Sequence, residues 1–414
     1  MPIKERLADS ARMVRGYIVR AYSSFTAKVF DVPPRLLAFL SLLVLLAIPC
    51  LGGKYLSMLT YACVYAILAV SWDLLVGRTG QVSLGHAFFF GMGAYSSALL
   101  IQYYGSDTVT ILLLQTTIPI FLITIPAALA IGVVLAILLG LPALRVKGPY
   151  LGLLTLCIPL IMSTITNWHP LSDIFHGTSG IKVPLFFSFL RGNPIRDTVE
   201  YYFALTVLFF SAVIIYKVAT SKTGIVFVSI LDNELAAKAC GINVTRYKLL
   251  SFVISGLFGT LSGCIYVHLI TMRARPLLFD LTYSFLPITM TFLGGLGTIY
   301  GPLVGAFIYN FLDQYIMPTY LAPVLDSMGL STYFGQLRII IFALIVITII
   351  IKWPRGIART IVDKLDDLAK PRDIEERGPR IWKKYKKEQK ESRLRKIFSR
   401  FKKKPKEKES EVET

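Results

Sequence analysis

The sequence predicts an all-α protein that crosses a membrane many times. Hydrophobic residues make up 54% of its 414 residues and charged residues only 17%. The charges are also unevenly placed, because residues 36–351 hold only 25 charged side chains in 316 positions, about 8%, against about 25% in soluble domains. A body this apolar excludes a soluble enzyme, a disulfide-stabilised scaffold and a disordered chain.

The basic residues gather at the two ends of the chain. Residues 352–414 contain 22 basic and 12 acidic side chains, residues 1–35 contain 7 and 3, and together they supply +14 of the net +19. Basic segments beside membrane spans are typical of the cytoplasmic side and attract anionic lipids. We therefore expect the basic ends to bind membrane lipids and not nucleic acid. Because the first 35 residues lack an apolar core, no signal peptide is expected.

Ten segments are predicted to be membrane-spanning helices, since about 20 apolar residues cross the hydrocarbon core. They are residues 36–51, 56–76, 83–104, 118–141, 150–167, 201–220, 248–270, 283–296, 300–320 and 337–353. An even number of crossings places both termini on one side, and the basic ends predict that this side is the cytoplasm. The expected domains are a basic arm (1–35), a transmembrane domain (36–354) with a cytoplasmic segment at 221–247, and a Lys-rich cytoplasmic tail (355–414).

Two of these segments differ from a simple span. The uncharged stretch 109–144 is too long for one upright helix at about 1.5 Å per residue, so we expect an interfacial piece before the helix. Segment 283–296 is short and ends in a run of glycines, Gly294, Gly295 and Gly297. It either crosses the membrane or enters without crossing.

A glycine-rich segment with polar residues separates the second and third predicted spans. Five glycines fall between positions 77 and 93 and alternate with a glutamine, a serine and a histidine. Glycine lets helix backbones approach closely, and glycines with polar residues also mark broken helices that line a cavity. Close packing and a translocation pathway are both open interpretations. The candidate residues are Gly80, Gln81, Ser83, Gly85, His86, Gly91 and Gly93.

A second glycine cluster lies late in the chain, and its candidate residues are Gly294, Gly295, Gly297 and Gly301. Each cluster separates two apolar segments, and matching interruptions in two halves predict an internal inverted repeat. Among the intramembrane polar residues, Asp73 and His86 lie near span ends, where structural roles are favoured. Asp313 lies deeper and is the candidate for an intramembrane polar contact.

Residues 221–247 contain the pattern of a short helix on the cytoplasmic side. Asp232 or Asn233 can cap this helix, an Ala-rich stretch continues it, and Gly241 ends it. Such a helix suits the docking of a partner, although an amphipathic connector would show the same pattern.

Motifs for enzymatic chemistry are missing from the sequence. It contains no G-x-x-x-x-G-K-[ST] phosphate loop, no G-x-S-x-G motif and no H-E-x-x-H motif. The five cysteines stand singly, without a Cys/His cluster. We therefore predict that the chain is not an enzyme and binds no metal or cofactor.

Seven stretches of the chain resemble the permeases of branched-chain amino-acid ABC importers, LivM type. They are DLLVG (73–77), GQVSLGH (80–86), FFGMGAY (89–95), GPYLGLLTL (148–156), NELAAKACGI (233–242), TRYKL (245–249) and FLGGLGTIYGP (292–302). The resemblance covers residues 55–355, and several motifs in the same order make it specific. The arm and the tail lie outside it.

The resemblance implies an all-α permease in a cell membrane. Its partners would be a second, LivH-like permease, two cytoplasmic ABC ATPases and an extracytoplasmic substrate-binding protein. By analogy with importer permeases, the coupling helix that sits in an ATPase cleft would be formed by Asp232, Asn233, Glu234, Ala236, Ala237 and Gly241. This chain reads E-x-A-A where importers generally read E-A-A, as the branched-chain type does.

Three functions are consistent with the sequence. The first is the translocation subunit of an ATP-driven importer for branched-chain amino acids, which does not itself hydrolyse ATP. The second is the related urea or short-chain amide permease, which shares the glycine-rich motifs. The third is a stand-alone secondary transporter, which the few intramembrane charges disfavour because it needs its own coupling-ion site.

Overall fold

The fold is seen in a computed structural model that describes residues 53–360, apart from gaps at 105–107, 112–115, 120, 147–149, 185, 188–191, 194, 330–333 and 354–355. The described residues belong to one compact unit. The predicted arm, the predicted span at 36–51 and the tail beyond residue 360 lie outside the described residues.

Helices account for most of this unit. The α-helices are α1 (Gly53–Thr79), α2 (His86–Tyr104), α3 (Phe121–Ala143), α4 (Tyr150–Asn167), α5 (Ser172–Phe175), α6 (Ile195–Thr220), α7 (Lys222–Asp232), α8 (Glu234–Ala239), α9 (Val244–Tyr266), α10 (Leu281–Gly294), α11 (Tyr300–Phe311), α12 (Ala322–Ser327) and α13 (Phe334–Lys352). Short 3₁₀ turns occur at His169–Leu171, Gly177–Ser179 and Pro276–Phe279, and π-helices at Val267–Thr271 and Leu312–Leu321. Two antiparallel pairs of short strands complete it, β1 (Thr108–Ile111) with β2 (Thr116–Pro119), and β3 (Ile181–Lys182) with β4 (Arg273–Ala274).

The prediction of an all-α membrane protein with many spans is confirmed. Within the described residues, six helices are long and apolar enough to cross a membrane. They lie in Leu56–Thr79, Ile123–Ala143, Tyr150–Asn167, Ile195–Thr220, Val244–Thr271 and Gln336–Thr360. The number of ten spans and the internal repeat stay predictions.

Two of the predicted spans begin three residues later in the structure. Helix α2 begins at His86 and not at 83, because Gly80 has a positive φ of 69° and the chain from 80 to 85 is not helical. Residues 118 and 119 belong to strand β2, and α3 begins at Phe121. The piece expected before this helix therefore contains an antiparallel pair of strands.

Two segments late in the chain depart from regular long helices. α10 has 14 residues, which is about 21 Å and shorter than the roughly 30 Å hydrocarbon core. α11 continues directly into the ten-residue π-helix Leu312–Leu321, a rare geometry that is frequent at functional sites.

Helices α1 and α9 form the centre of the unit. α1 has apolar residues on all its faces and is buried along almost its whole length, whereas few of the described residues of α13 are buried. α1 packs against α6, α9, α10 and α11, and α9 also packs against α2 and α3. A helix that is apolar all round is stable only when other helices or lipid surround it. In a membrane such helices associate chiefly through close van der Waals packing.

Contacts between distant segments define two opposite ends of the unit. At one end β3 pairs with β4, and Gln102 at the end of α2 bonds His176 at 3.0 Å. At the other end Gly80 lies beside Leu231 of α7, and Gly356 lies beside Gly295. We call these the sheet end and the α8 end.

Candidate functional site

The first glycine cluster makes backbone contacts that leave no room for a side chain. A Cβ atom on Gly93 would overlap the carbonyl oxygen of Thr260 on α9. In return, a Cβ on Gly263 of α9 would overlap the carbonyl oxygen of Phe90 on α2. Because a carbonyl cannot move without its helix, these glycines fix the distance between α2 and α9.

Two other glycines of this cluster contact further elements. A Cβ on Gly85 would lie 2.5 Å from the carbonyl oxygen of Thr155 on α4, and a Cβ on Gly91 would overlap the ring of Phe279. The first cluster therefore packs against three separate parts of the chain.

The two glycine clusters, more than 200 residues apart in sequence, touch each other. The Asp73 carboxylate accepts a hydrogen bond from the Gly297 backbone N–H at 2.7 Å. A Cβ on Gly77 would lie 2.7 Å from the same nitrogen. Asp73 is buried, so its bond satisfies a polar group that would be costly to leave unpaired.

The second cluster is also packed backbone to backbone. A Cβ on Gly294 would overlap the carbonyl of Gly301, and a Cβ on Gly301 would overlap that of Gly295. The Thr298 hydroxyl donates to the Gly295 carbonyl at 2.8 Å and accepts from the Gly301 N–H at 3.1 Å. Gly356 covers this turn, with φ of 84° and no space for a Cβ.

Polar side chains hold the non-helical entry to α2 against α1 and α9. Gln81 donates to the Ser251 hydroxyl at 2.9 Å and to the Lys248 carbonyl at 3.2 Å. The Trp72 indole N–H donates to the Ser83 carbonyl at 2.9 Å. Buried polar groups of this kind need partners, and here the partners lie on neighbouring helices.

The histidine of the first cluster also has a partner on α9. His86 Nε2 lies 2.9 Å from the Ser255 hydroxyl, which donates to the Ser71 carbonyl at 2.6 Å. This contact joins α2, α9 and α1 at the α8 end. The structure therefore places the predicted glycine-cluster residues in contacts between packed segments of the chain.

The predicted coupling segment is divided between two helices. α7 ends at Asp232, and the cap of α8 is Asn233, whose side-chain oxygen accepts from the Ala236 N–H at 3.0 Å. Ala237 is buried, and Gly241 has a φ of 81°. Of the two residues predicted as caps, Asn233 is the one that caps α8.

Glu234 connects α8 to the start of α9. Its carboxylate accepts from Lys238 at 2.8 Å and from Lys248 at 2.6 Å. The hydrogen bonds from Lys238 and Lys248 lower the pKa of Glu234 to about 2. At neutral pH the side chain is a carboxylate paired with two ammonium groups.

Lys248 joins this ion-pair group to the first glycine cluster. Its side chain binds Glu234, and its backbone carbonyl accepts from Gln81. The same cluster also contacts the end of α7, because a Cβ on Gly80 would lie 2.9 Å from Leu231. The arrangement can therefore pass a displacement of α8 to the chain between α1 and α2.

Three large apolar side chains of α7 and α8 are exposed. The exposed fraction is 65% for Ile225, 43% for Leu231 and 77% for Leu235. These side chains lie among the charged residues of the segment and are not covered by other described residues. Exposed large apolar side chains beside charged residues are typical of a protein interface.

Sequence reasoning missed the partners of these residues. Thr155, Phe279, Lys248 and Ser255 lie far along the chain from the cluster residues that they contact, and no local spacing marks them. Asp313, the predicted intramembrane contact, pairs with Arg338. Within the described residues, no group of His, Cys, Asp and Glu side chains could hold a metal ion.

Comparison with known proteins gives a consistent result. Residues 54–349 match the family model described as "Branched-chain amino acid transport system / permease component". The high-affinity branched-chain amino acid transport system permease proteins LivM of Salmonella typhimurium and Escherichia coli are each 25% identical over 268 residues, 60% of this chain and 60% of theirs. The chain thus spans about 60% of the length of these two relatives.

An archaeal protein matches over more of its length. The probable branched-chain amino acid transport permease protein LivM of Methanocaldococcus jannaschii is 23% identical over 314 residues, 71% of this chain and 90% of that protein. No solved structure matches the chain.

Proposed function

The chain belongs to the branched-chain amino acid transport system permease family and is of the LivM type, and on that premise we propose that it is the translocation subunit of an ATP-driven importer for branched-chain amino acids. It is a multi-pass membrane protein, and transport permeases of this kind are not enzymes. In the proposed complex, ATP is hydrolysed on partner chains.

The observation that carries the proposal is the connection of α8 to the glycine-packed centre. α8 is capped, presents exposed Leu235, and is joined through Glu234 and Lys248 to Gln81. A partner that moves α8 would therefore move the entry to α2. A permease without its own ATPase needs an attachment of this type.

The orientation and the partners follow from this role. The α8 end faces the cytoplasm, where two ABC ATPases dock, one of them on Ile225, Leu231 and Leu235. Both termini lie on the same side, in agreement with their basic charge. The sheet end faces outward and receives substrate from a binding protein, and a second, LivH-like permease completes the pathway.

Uptake by the reconstituted complex tests the proposed function. The chain is purified with its partner permease, the two ATPases and the binding protein and placed in liposomes. We expect radiolabelled leucine to accumulate only when ATP is supplied on the ATPase side. Excess valine or isoleucine should compete with leucine, and excess urea should not.

Other outcomes of the same experiment would contradict the proposal. Accumulation of urea in place of leucine would identify the amide-type permease instead. Leucine accumulation without ATP and without the ATPases would identify a secondary transporter.

A further inference from the structure

A cavity of about 700 Å³, open to the surface of the described residues, lies between α1, α10, α13 and the π-helix that follows α11. Leu281 at the start of α10 and Tyr65 in the middle of α1 line it. The glycine contacts of α10 are at its other end, at Gly294, about 20 Å away along the helix. The cavity therefore belongs to the half of the unit nearer the sheet end.

The cavity lining contains charges of both signs. Arg338 of α13 forms a two-point pair with Asp313, with Nε–Oδ1 at 2.9 Å and Nη2–Oδ2 at 2.5 Å. Asp280, which caps α10 through its Oδ1 atom, lines the same cavity. A guanidinium has five N–H donors, so the pair with Asp313 does not use its full capacity.

The remaining lining is mostly aromatic and aliphatic. Tyr65, Tyr283 and Tyr309 contribute rings, and the Tyr309 ring packs edge-on against Phe342 at 4.7 Å. Apolar walls with a few polar groups at fixed positions are typical of small-molecule sites. The size is sufficient for an amino acid of the leucine type.

The backbone at the charge pair is also unusual. Asp313 and Gln314 lie in the π-helix Leu312–Leu321, and both line the cavity. π-helical turns are frequent at functional sites. Charged residues within spans often mark the path of a polar substrate.

We propose that this cavity is a transit site for a zwitterionic apolar amino acid. The substrate carboxylate binds the Arg338 guanidinium, its ammonium binds the carboxylates of Asp313 and Asp280, and its side chain packs against the tyrosine rings. The site holds the substrate after the binding protein has delivered it and before the α8 end opens. This inference rests on the proposed function, because it takes its substrate class from it.

The simplest alternative is that the Asp313–Arg338 pair only fastens α13 to the π-helix. Replacing both members of a buried pair with apolar residues of similar volume is often neutral for stability. The double variant Asp313→Leu/Arg338→Met therefore separates the two roles. A fastening role predicts normal uptake, whereas a binding role predicts its loss.

A matched control is available elsewhere in the chain. Arg196 and Glu200 of α6 form a pair at 2.7 Å with comparable side-chain exposure, and neither lines the cavity. In the reconstituted complex we expect leucine uptake to fall at least tenfold in the Asp313→Leu/Arg338→Met variant. The Arg196→Met/Glu200→Leu variant should stay within twofold of the natural protein. Equal uptake in all three, at equal assembly, would overturn the inference.

A labelling experiment keeps this test independent of ATP-driven uptake. Thr289 lines the cavity, and Thr289→Cys is made in the full chain with the natural cysteines replaced by serine. We expect millimolar leucine to slow maleimide labelling at least fivefold, and N-acetyl-leucine methyl ester, which lacks both charges, to have no effect. If leucine does not change the rate of maleimide labelling, the transit-site proposal is overturned, even if the complex imports leucine. Protection without ATP-driven uptake would contradict only the proposed function.

Discussion

The glycine-packed centre and the α8 segment are held together in opposite ways. In the centre, the backbones of α2 and α9 touch at Gly93 and Gly263, where no side chain fits. At the α8 segment, polar side chains make the contacts, and Gly241 has no atom within 4 Å of an added Cβ. The centre therefore cannot deform without separating helices, whereas the segment can accept a partner.

Because of this difference, the two regions can contribute differently to the transmission of a displacement. A rigid centre transmits a displacement instead of absorbing it, because packed interiors switch between discrete arrangements. An exposed segment with a fixed attachment is where a displacement can enter. Coupling between two sites requires that both act on one element, and in the proposed function that element is the chain from Gly80 to His86.

The largest effect is expected from a single methyl group in the centre. Gly263→Ala puts a Cβ atom against the Phe90 carbonyl, and overpacking of this kind costs about 1–3 kcal/mol or more. We expect the variant to unfold at a clearly lower temperature than the natural chain, measured by thermal unfolding and size-exclusion chromatography in detergent.

Gly152→Ala is the matched control for that change. Gly152 is also a buried helical glycine, but its added Cβ would lie 3.5 Å from the nearest atom, the Val82 carbonyl oxygen. Alanine there should be neutral or slightly stabilising, because glycine costs about 0.5–1 kcal/mol within a helix. Equal stability of the two variants would show that the centre is not closely packed.

A much smaller effect is expected from the charge of Glu234. Because the pKa of Glu234 is lowered from 4.5 to about 2 in the folded chain, its pairs stabilise the fold fully above pH 4.5. This contribution is lost as the pH falls from 4.5 towards 2. Its carboxylate is 39% exposed, so water screens it and we expect about 0.2–1 kcal/mol.

Glu234→Gln tests this small effect. At pH 7 the variant should unfold at a slightly lower temperature than the natural chain, and the difference should shrink at pH 3 and in 1 M salt. A difference that grows at low pH would mean that the carboxylate does not stabilise the folded state.

Much of this architecture is readable in the sequence. The near absence of charge between residues 36 and 351 predicts the all-α membrane fold, and the span predicted at 150–167 coincides with α4. The start of α2 is predicted three residues too early because no charged residue separates Ser83 and Leu84 from the apolar residues that follow. The positive φ of Gly80 and the turn that follows depend on contacts with α9 and α4.

Only part of the site can be predicted from the sequence, for a physical reason. Glycine clusters indicate that backbones approach, but not which backbones, since Gly77 and Gly297 are far apart in the chain. The cap and stop of α8 are local, and the sequence predicts Asp232 or Asn233 as the cap, of which Asn233 is the one observed, and Gly241 as the stop. The pair of Asp313 with Arg338 requires two helices to lie side by side, which no local pattern records.

The most direct test of the account compares tryptophan at two glycines that differ only in location. Gly241 and Gly329 both have positive φ, 81° and 70°, and both have nothing within 4 Å of an added Cβ. The strain within the chain is therefore similar, and only Gly241 lies beside the proposed ATPase-binding surface. The measurement is substrate-stimulated ATP hydrolysis by the assembled complex in liposomes.

The account predicts that Gly241→Trp inserts and folds as well as Gly329→Trp, yet loses at least nine-tenths of the stimulated hydrolysis and of leucine uptake. Gly329→Trp should keep both. If the two variants hydrolyse ATP and import leucine equally well, α8 only connects two helices and does not couple ATP hydrolysis to transport.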